Sequence, residues 1–444
     1  IRGCIPQRWM ISIECCICLL VSYMMRFCFA LTITEITTIY GAKHDPHSCP
    51  YPSKNESENT TKDMEFHWTA SQQGIIHSGI FWGYFSTQVL GGVLSDLFNH
   101  KAMFIIGLSL TCVATAITPF AARGFDWIGL IVCRVIVGMA QGVFYNSLHA
   151  ITGHWIPTPE RGTLGTLVFA GVQIGNAVNT LLTGQLLYFF DWSIIFYSYA
   201  ALGTLCMLIF FFTTYTNPSD VPNLSENEKR VFQEYESQVD HLKHNKVVPV
   251  KAILKNYHVW AIFLAMVGQD WCLYTTVTYI PTYMKSVLHM DVRTIGIVNS
   301  IAFLLLWLIG LLVGLLADFV HKKEWLSLSW IRRWLYLFGS IFPAVGFVGI
   351  SYAECQETLV IAIFISSFST LGLFYPSVKV NPMDLSPNFA GTIGSIGQMG
   401  GCTAGVIVPY VASFLTPNIS YRNLGKPTGR IQFLKNNVAR EISR

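Results

Sequence analysis

Apolar stretches of about 20 residues recur along the whole chain, and short polar segments separate them. Each stretch has the length of a helix that crosses the hydrocarbon core of a membrane, which is about 30 Å thick. In the first half they lie at 9–34, 71–95, 102–122, 126–150, 163–188 and 193–215, and in the second half at 256–284, 294–317, 333–352, 357–380 and 389–415. The pattern predicts an all-α polytopic membrane protein with six spans followed by five.

The longest hydrophilic segment between two spans divides the chain into two groups of helices. We interpret this segment, 216–250, as a cytosolic linker between an N-terminal bundle at 1–215 and a C-terminal bundle at 251–415. The remaining residues, 416–444, are basic and contain no apolar stretch. Because a twelfth helix would be needed to return them to the cytosol, we expect a truncated or alternatively spliced end.

A short sequence recurs at the same relative position in both groups of helices. Gly92–Asp96 (GVLSD) closes the second span of the first group, and Gly314–Asp318 (GLLAD) closes the second span of the other. Basic residues follow both copies. Transporter folds are commonly built from such internal repeats. We therefore expect two pseudo-symmetric six-helix bundles, the second without a visible twelfth helix.

The composition excludes several classes of protein. Hydrophobic residues make up 52% of the chain and charged residues 12%, whereas a soluble domain carries about 25% charge. The net charge of +4 comes from basic residues scattered through short loops, so nucleic-acid binding is not expected. The 12 cysteines lie mostly in apolar segments and lack metal-ligand spacing. Since no paired carboxylates and no nucleophile with a base stand at membrane depth, we expect no metal site, no organic cofactor and no enzyme.

The distribution of basic residues gives the orientation in the membrane. With a cytosolic N-terminus, the inner loops hold most of the Lys and Arg residues, and the long loop at 40–68 lies outside. That loop contains two glycosylation acceptors, Asn55 and Asn59, which are modified only on the outer or lumenal side. The two observations agree. They predict a multi-pass glycoprotein, expected as a monomer, in the plasma membrane or in a lysosomal or vesicular membrane.

Arg26 stands deep within the first span, where a charged residue costs about 2.5–3.5 kcal/mol to insert. A cavity for a small anionic substrate would explain this cost, because a guanidinium is always charged and offers a planar fork to carboxylate or phosphate oxygens. The alternatives are an internal ion pair with Glu14 or Glu35 and a side chain that reaches the interface. We favour contact with the substrate.

Two further polar residues of the first bundle are candidates for the same site. Arg134 begins a glycine-containing stretch of the fourth span and serves either in anion passage or as an anchor at the outer interface. His77 lies one turn before Phe81 and Trp82. It either titrates near neutral pH and donates to an anion, or it packs as an ordinary buried histidine.

The second bundle contributes polar candidates from two spans. Asp270, beside Trp271 and Tyr274 in the seventh span, is the acid that we expect at membrane depth. It either binds a coupling cation or pairs with an arginine. Lys379, near the end of the tenth span, either reaches the inner interface or lines the cavity as a second positive group.

Four motifs stand in order along most of the chain: Trp82–Gly92 (WGYFSTQVLGG), Trp155–Arg161 (WIPTPER), Tyr279–Tyr283 (YIPTY) and Asn381–Pro387 (NPMDLSP). Together they resemble the major facilitator superfamily. Within it they resemble the anion:cation symporter family, which includes sialin, vesicular glutamate transporters and type I sodium-phosphate cotransporters. The resemblance implies twelve helices in two bundles, with a central site that opens alternately to each side of the membrane.

The resemblance also implies roles for individual residues near the substrate. Arg26 and Arg134 match family arginines tied to anion transport, and His77 matches a histidine of the vesicular glutamate branch. Trp271 and Tyr274 match seventh-helix aromatic residues near the family's site.

A second set of residues is implied to act in coupling or in the conformational gate. Asp96 and Asp318 would lock the cytosolic gate through basic partners and helix ends. Glu160 and Arg161 close the second of the four motifs. Gln141 stands where proton-coupled sialin and the glutamate carriers have a glutamate, so the coupling ion, Na⁺ or H⁺, stays open.

We therefore predict a secondary active transporter of a small anion, either an organic anion or inorganic phosphate. It would work by alternating access and be coupled to a cation or driven by the membrane potential. The alternative is a non-transporting membrane receptor or an inactive truncated pseudo-transporter. The unseen twelfth helix and Gln141 are the features that favour this alternative.

Overall fold

The computed structural model describes residues 6–37, 65–97, 99–156, 160–216, 221, 228–230, 232, 250–353, 355–385 and 390–415, and most of them are helical. These residues form no β-strand, and one isolated bridge pairs Thr37 with Phe66. The predicted all-α architecture is confirmed. The glycosylation candidates Asn55 and Asn59, most of the linker and the tail at 416–444 lie outside the described residues, and so does the predicted absence of a twelfth helix.

The first half of the chain forms five helical runs, all within a few residues of the predicted spans. They are α1 Gln7–Ile36, α2 Ala70–Leu97, α3 His100–Trp155, α4 Arg161–Phe189 and α5 Ser193–Thr213. A straight helix as long as α3 would extend for roughly 84 Å at 1.5 Å per residue, far more than the hydrocarbon core. It therefore has to turn back.

The turn within α3 lies at Asp126, which has non-helical torsion angles of φ 52° and ψ −143°. The Asp126 carboxylate accepts a hydrogen bond from Trp68 Nε1 at 2.6 Å. A Cβ atom on Gly129 would lie 2.3 Å from the carbonyl oxygen of Ala121, so the chain reverses here with no room for a side chain. α3 thus contains two spans, as the pattern at 102–122 and 126–150 predicts.

The second half contains five long helical runs, preceded or separated by two short helices. In order they are α6 Val250–Lys255, α7 Tyr257–Ser286, α8 Val292–Lys322, α9 Leu328–Ile350, α10 Glu357–Thr370, α11 Asn381–Leu385 and α12 Ala390–Leu415. α10 continues through a 3₁₀ turn at Leu371–Leu373 and a π turn at Tyr375–Lys379. Pro376 lies in the π turn and has no N–H to donate, which favours irregular backbone there.

By length and mean hydropathy alone, seven helices of the described residues could cross a membrane, with α3 counted once. The other long helices, α2, α7 and α12, are rich in glycine and polar residues. α12 packs against both α2 and α7, so the less apolar helices lie together. This arrangement is expected in a membrane protein, where polar residues face the interior of the bundle.

The two halves pack against each other through α4 with α8, α2 with α12 and α1 with α7. We call the face that carries the α1–α2 connection the outer face and the opposite one the inner face, following the predicted orientation. Towards the outer ends of α4 and α8, a Cβ on Gly296 would lie 2.6 Å from the carbonyl oxygen of Thr180, and one on Gly184 would lie 3.0 Å from Gly296 Cα. An ion pair between Glu35 and Lys285 joins α1 to α7 at the same end.

An ionic cluster fixes the end of the α1–α2 connection to the first half. The Glu65 carboxylate accepts hydrogen bonds from Arg123 Nε at 2.7 Å and from Trp192 Nε1 at 2.6 Å, and Arg123 also pairs with Asp191 at 3.3 Å. The hydrogen bond from Arg123 is the main cause that lowers the pKa of the Glu65 carboxyl, which lies in the connection between α1 and α2. The cluster joins the turn of α3 to the turn between α4 and α5.

Candidate substrate-binding site

The side chain of Arg26 is buried, with 6% of its surface exposed, and aromatic rings surround its guanidinium. The guanidinium carbon lies 4.5 Å from the ring centroid of Tyr84, 5.3 Å from that of Phe81 and 5.7 Å from those of Tyr23 and Phe27. α1 supplies two of these rings and α2 the other two. Cation–π attraction stabilises the charge in this position without neutralising it.

The predicted alternatives for Arg26 are not found among the described residues. Glu14 accepts a hydrogen bond from Thr214 Oγ1 at 2.9 Å, and Glu35 pairs with Lys285, so both acids have other partners. Burial also excludes a side chain that reaches the interface. The Nε atom of Arg26 is buried and has no hydrogen-bond partner in the described structure. The charge is thus held inside the protein without a carboxylate in contact.

Arg134 lies directly behind Arg26. Its Nη1 donates a hydrogen bond of 3.0 Å to the backbone carbonyl oxygen of Arg26, and its guanidinium carbon lies 4.3 Å from the ring centroid of Phe29. His77 packs near the same ring, with its ring centroid 5.5 Å from that of Phe29. Arg134 is 6% exposed and therefore does not act as an interfacial anchor. The structure brings all three predicted residues of the first bundle together.

Tyr274 of α7, in the second half, packs against the aromatic rings around Arg26. Its ring centroid lies 4.6 Å from that of Phe81 and 6.5 Å from that of Phe27, so two rings around Arg26 also contact the other bundle. Beside them, the Phe81 ring packs against the backbone of Gly405, where a Cβ would lie 2.4 Å from the ring. Trp271 is half-buried on the same helix, and the described structure gives its ring no contact with this cluster.

Asp270 is a buried acid of the second half, with 6% of its surface exposed. It is packed against the backbone of Gly401, where a Cβ would lie 1.9 Å from the carboxylate oxygen Oδ2. The positive charges of Lys379 and Arg26 both act on this carboxylate. Lys379, which is half-buried, donates from Nζ to Gln398 Oε1 at 3.0 Å. Arg26 and Asp270 are thus buried groups of opposite charge, one from each half.

Gln141 links the fourth span to the first. Its Nε2 donates a hydrogen bond of 2.9 Å to the backbone carbonyl oxygen of Ser22, one turn before Arg26. Its Oε1 is buried without a hydrogen-bond partner among the described residues. An amide here carries no charge and does not titrate, so this position anchors α1 and cannot carry a proton.

The predicted gate residues have different surroundings. Glu160, the residue before α4, pairs with Arg8 of α1 at 2.7 Å, and Arg8 also lies 3.8 Å from Glu228. Asp318 is exposed in the last turns of α8, and no partner for it is found in the described part of the chain. The side chains of Asp96 and Arg161 lie outside the described part. Among these predicted gate residues, the ion pair found in the described part of the chain is Glu160 with Arg8, and it lies within the first half.

A small cavity lies between the two halves on the outer side of Arg26. Its volume is about 10 Å³, which suits about one water molecule. Asn176, Asn179 and Asn299 contribute amides to its lining, and Asn176 Oδ1 is buried without a partner among the described residues. Nearby, Gln173 Nε2 donates a hydrogen bond to the hydroxyl of Tyr375 across the two halves. The cavity lies on the outer side of Arg26, whereas Gln173, on the stretch of α4 that packs against Leu20 of α1, lies on its inner side.

The sequence analysis missed the four rings around Arg26. Tyr23 and Phe27 stand at −3 and +1 from the arginine, and Phe81 and Tyr84 stand one helical turn apart on α2. A spacing of three residues, from Tyr23 to Arg26 and from Phe81 to Tyr84, is the feature that could have identified three of the four rings. In a chain with 14% aromatic residues, such spacing is too common to single out a site.

The family model described as Major Facilitator Superfamily matches residues 15–409. The chain belongs to this superfamily. It is 30% identical to sialin from Homo sapiens over 94% of this chain and 84% of that protein. It is 29% identical to sodium-dependent phosphate transport protein 1 from Oryctolagus cuniculus, over 90% of this chain and 86% of that protein.

Solved structures of the same fold agree with the assignment. A bacterial homologue of the human lysosomal transporter Spinster, in an inward-facing and occupied conformation, has a TM-score of 0.69 and 14% identity, covering 96% of this chain and 89% of that one. The inward-open conformation of a xylose transporter from E. coli has a TM-score of 0.66 and 14% identity, over 94% and 93% of the two chains. The predictions of a multi-pass membrane transporter, and of no enzyme, are confirmed.

Proposed function

We propose that this superfamily member carries a small anion, inorganic phosphate or an organic anion, across the membrane by alternating access. The single observation behind the proposal is the buried guanidinium of Arg26, which has aromatic neighbours and no carboxylate in contact among the described residues. Such a charge is costly in a membrane protein unless a negative group can approach it. The names of the relatives, sialin and a sodium-dependent phosphate transport protein, support a carboxylate or phosphate cargo.

The surroundings of Arg26 suit reversible binding of an anion. Cation–π contacts hold the guanidinium in one place but leave its N–H groups available to oxygen acceptors. Arg134 holds the backbone of Arg26 from behind and adds a second positive charge. The attraction between an anion and these guanidinium groups is stronger at a low dielectric constant than in water. Because the buried positive charges are costly without an anion, the occupied site is favoured over the empty one.

We assign the coupling role to Asp270, with Na⁺ or H⁺ as the ion. Asp270 is a buried acid in the half opposite to Arg26, and Gln141 has no titratable group. A cation bound at Asp270 would neutralise that carboxylate, and an anion bound at Arg26 would neutralise that guanidinium. The anion and the cation would then cross the membrane together, with their charges compensated by the protein. The sodium dependence in the name of one relative supports Na⁺.

The contacts between the halves suit a conformation closed at the outer face. Gly184 with Gly296, Glu35 with Lys285, and Trp82 Nε1 donating to the Tyr410 hydroxyl at 3.3 Å all lie on the outer side of the middle of the bundle. The inner-face ion pair of Arg8 with Glu160 joins elements of the first half only. In this arrangement the anion would leave the Arg26 site towards the inner face.

Uptake by the full chain in reconstituted vesicles tests the proposal. Labelled phosphate and a small panel of organic anions are offered, with sodium, proton and voltage gradients imposed separately. We expect Arg26→Ala to abolish uptake of the transported anion, while Arg26→Lys retains a small part because it keeps the charge but loses the planar fork. Arg293→Gln, an exposed arginine at the outer end of α8, is the matched control and should transport normally.

Each outcome of this test has a definite meaning. Equal uptake by the wild type and by Arg26→Ala, in protein with normal helicity and monodispersity, would refute the assignment of the anion to Arg26. Failure of every anion to enter under any gradient would favour the non-transporting alternative. For the coupling ion, Asp270→Asn should remove the dependence on the driving gradient, and an unaltered sodium or proton dependence would refute its role.

A further inference from the structure

A hydrogen bond joins the two halves on the inner side of Arg26. Gln173 of α4 donates from Nε2 to the hydroxyl of Tyr375, which begins the π turn after α10. Gln173 is 5% exposed and Tyr375 is half-buried, so the bond lies inside the protein. It is a contact between the halves that is separate from the rings around Arg26 and from the contacts on the outer side.

The packing of α4 against α1 gives the level of this bond. A Cβ on Gly175 would lie 2.7 Å from the carbonyl oxygen of Leu20, so the two backbones meet there. Leu20 precedes Arg26 by six residues of α1, which corresponds to roughly 9 Å towards the inner face. Gln173 stands two residues before Gly175 on a helix that runs outward, so it lies further inward still. The bond therefore stands between the Arg26 site and the inner end of the protein.

Tyr375 also borders the charged groups at the centre of the protein. The carboxylate of Asp270 and the hydroxyl of Tyr23 both act electrostatically on the Tyr375 hydroxyl. Tyr23 is one of the rings around Arg26, and Asp270 is the acid to which we assign coupling. The tyrosine that bonds to Gln173 thus lies on the inner side of the region where the anion and the cation would bind.

The backbone that carries Tyr375 follows a tightly held segment of α10. A Cβ on Gly372, in the 3₁₀ turn, would lie 2.3 Å from the carbonyl oxygen of Leu306, so this turn is fixed against α8. Beyond it, Pro376 has no N–H for the helical hydrogen-bond pattern. Irregular turns within a helix often mark a hinge. A change in the π turn would move the Tyr375 ring relative to α4 while Gly372 stays in place on α8.

The contacts on the two sides of Arg26 differ in kind. On the outer side, Gly184 and Gly296 bring the backbones of α4 and α8 together. On the inner side, the bond joins an amide to a hydroxyl, and neither group is charged. A hydrogen bond between neutral groups has a small net free energy, because both groups bond to water when they separate. The inner contact is therefore suited to form and break in each transport cycle.

We propose that Gln173 and Tyr375 form an inner gate of the anion site. Their hydrogen bond closes the path from Arg26 to the inner face while the anion is bound, and a movement of the π turn breaks the bond and releases the anion. Both side chains act as positioning residues that control access, and neither has to contact the anion. The gate rests on the proposed function, in which the cargo leaves Arg26 towards the inner face.

Access to the native Cys402 from the inner side tests the gate without a transport measurement. Cys402 is 2% exposed, and Arg26 and Asp270 both act electrostatically on its thiol, so it lies at the level of the anion site. A small impermeant thiosulfonate reagent is added to inside-out membrane vesicles that contain the full chain. Cys402→Ser gives the background reaction.

Loss of the bond should expose Cys402 to this reagent. We expect Tyr375→Phe and Gln173→Leu to react about fivefold faster than the wild type, which corresponds to the loss of about 1 kcal/mol. The double variant should react no faster than either single variant, because both changes remove the same bond. Tyr410→Phe is the matched control, since it removes a hydroxyl that accepts from Trp82 on the outer side, and it should not raise the rate.

Three results of this arm would overturn the proposal. The same rate in the wild type and in both gate variants would mean that the bond does not limit access. An equal rise in Tyr410→Phe would mean that the two halves separate more easily in general. An additive rise in the double variant would mean that Gln173 and Tyr375 act independently.

Cross-linking tests whether the bond has to open during transport. In a chain with Cys402→Ser, Gln173→Cys and Tyr375→Cys, a short bifunctional thiosulfonate reagent should abolish uptake of the transported anion, and a reductant should restore it. Each single cysteine variant treated in the same way should keep its uptake. Normal uptake by protein whose cross-link is verified by mass spectrometry would refute the gate. If the wild type transports no anion, the proposed function fails, whereas the reaction of Cys402 still decides whether the pair limits access.

Discussion

Arg134 donates a hydrogen bond from Nη1 to the backbone carbonyl oxygen of Arg26, so two buried arginines from different spans are in direct contact. The bond joins a charged donor to a main-chain acceptor, and both side chains point into the protein. The two guanidinium groups lie against different rings, that of Arg26 over Tyr84 and that of Arg134 over Phe29. The contact makes the position of Arg26 depend on the side chain of Arg134.

Replacing Arg134 should therefore impair transport through Arg26. A hydrogen bond from a charged group contributes about 1.5–3 kcal/mol, so we expect Arg134→Gln to reduce uptake efficiency by roughly tenfold or more. In a double-mutant cycle with Arg26→Lys, which keeps a part of the uptake, the combined loss should be smaller than the sum of the two single losses, because both changes impair the same site. The measurement is initial-rate uptake into vesicles. Additive losses would show that the two arginines act independently.

Gln141→Glu should make transport depend on pH. The amide donates to the carbonyl oxygen of Ser22, and a glutamate can donate there only when it is protonated. The buried site favours the neutral acid, so uptake should resemble the wild type at low pH and fall as the pH rises and the side chain ionises. Gln141→Met, which cannot titrate, is the control. The same pH profile in both variants would contradict this role.

Gly296→Val should disfavour the conformation that is closed at the outer face. A Cβ there would lie 2.6 Å from the carbonyl oxygen of Thr180, so α4 and α8 would have to separate. We expect slower uptake. A cysteine added by Thr180→Cys should also react faster with an impermeant maleimide from the outer side in Gly296→Val than in the chain that keeps Gly296. The same chains without that cysteine give the background reaction. Gly165→Val on α4 is the control, since no atom lies within 4 Å of its Cβ position.

The ion pair of Glu65 with Arg123 should give a small pH dependence of stability. The folded-state pKa of Glu65 is lowered, so its contribution is present above the unfolded value of about 4.5 and is lost as the pH falls through the lower folded value. Because both side chains are partly exposed, we expect a loss of about 1 kcal/mol or less on acidification. Thermal unfolding between neutral pH and pH about 3 measures it.

Glu65→Gln should lose part of this acid dependence and be less stable than the wild type at neutral pH. Asp318→Asn removes an exposed acid without a described partner and should leave the curve as it is. A steeper acid transition in Glu65→Gln than in the wild type would show that the cluster does not stabilise the folded state through this carboxylate.

The sequence by itself determined the spans, since α1, α4, α8 and the two parts of α3 follow from the length of apolar stretches in a solvent without hydrogen-bonding partners. It also singled out Arg26, Arg134 and His77, because a charge or a titratable group is conspicuous among apolar residues. Hydrophobicity and charge are properties of one position and its neighbours in the chain. A single sequence shows them directly.

Only the tertiary structure decided what Arg26 contacts. Its rings come from α1 and α2, Tyr274 comes from the other half, and Glu14 and Glu35 are engaged elsewhere. The sequence gives no register between helices that are far apart in the chain, and in the membrane this register depends on close packing at positions such as Gly296 and Gly405.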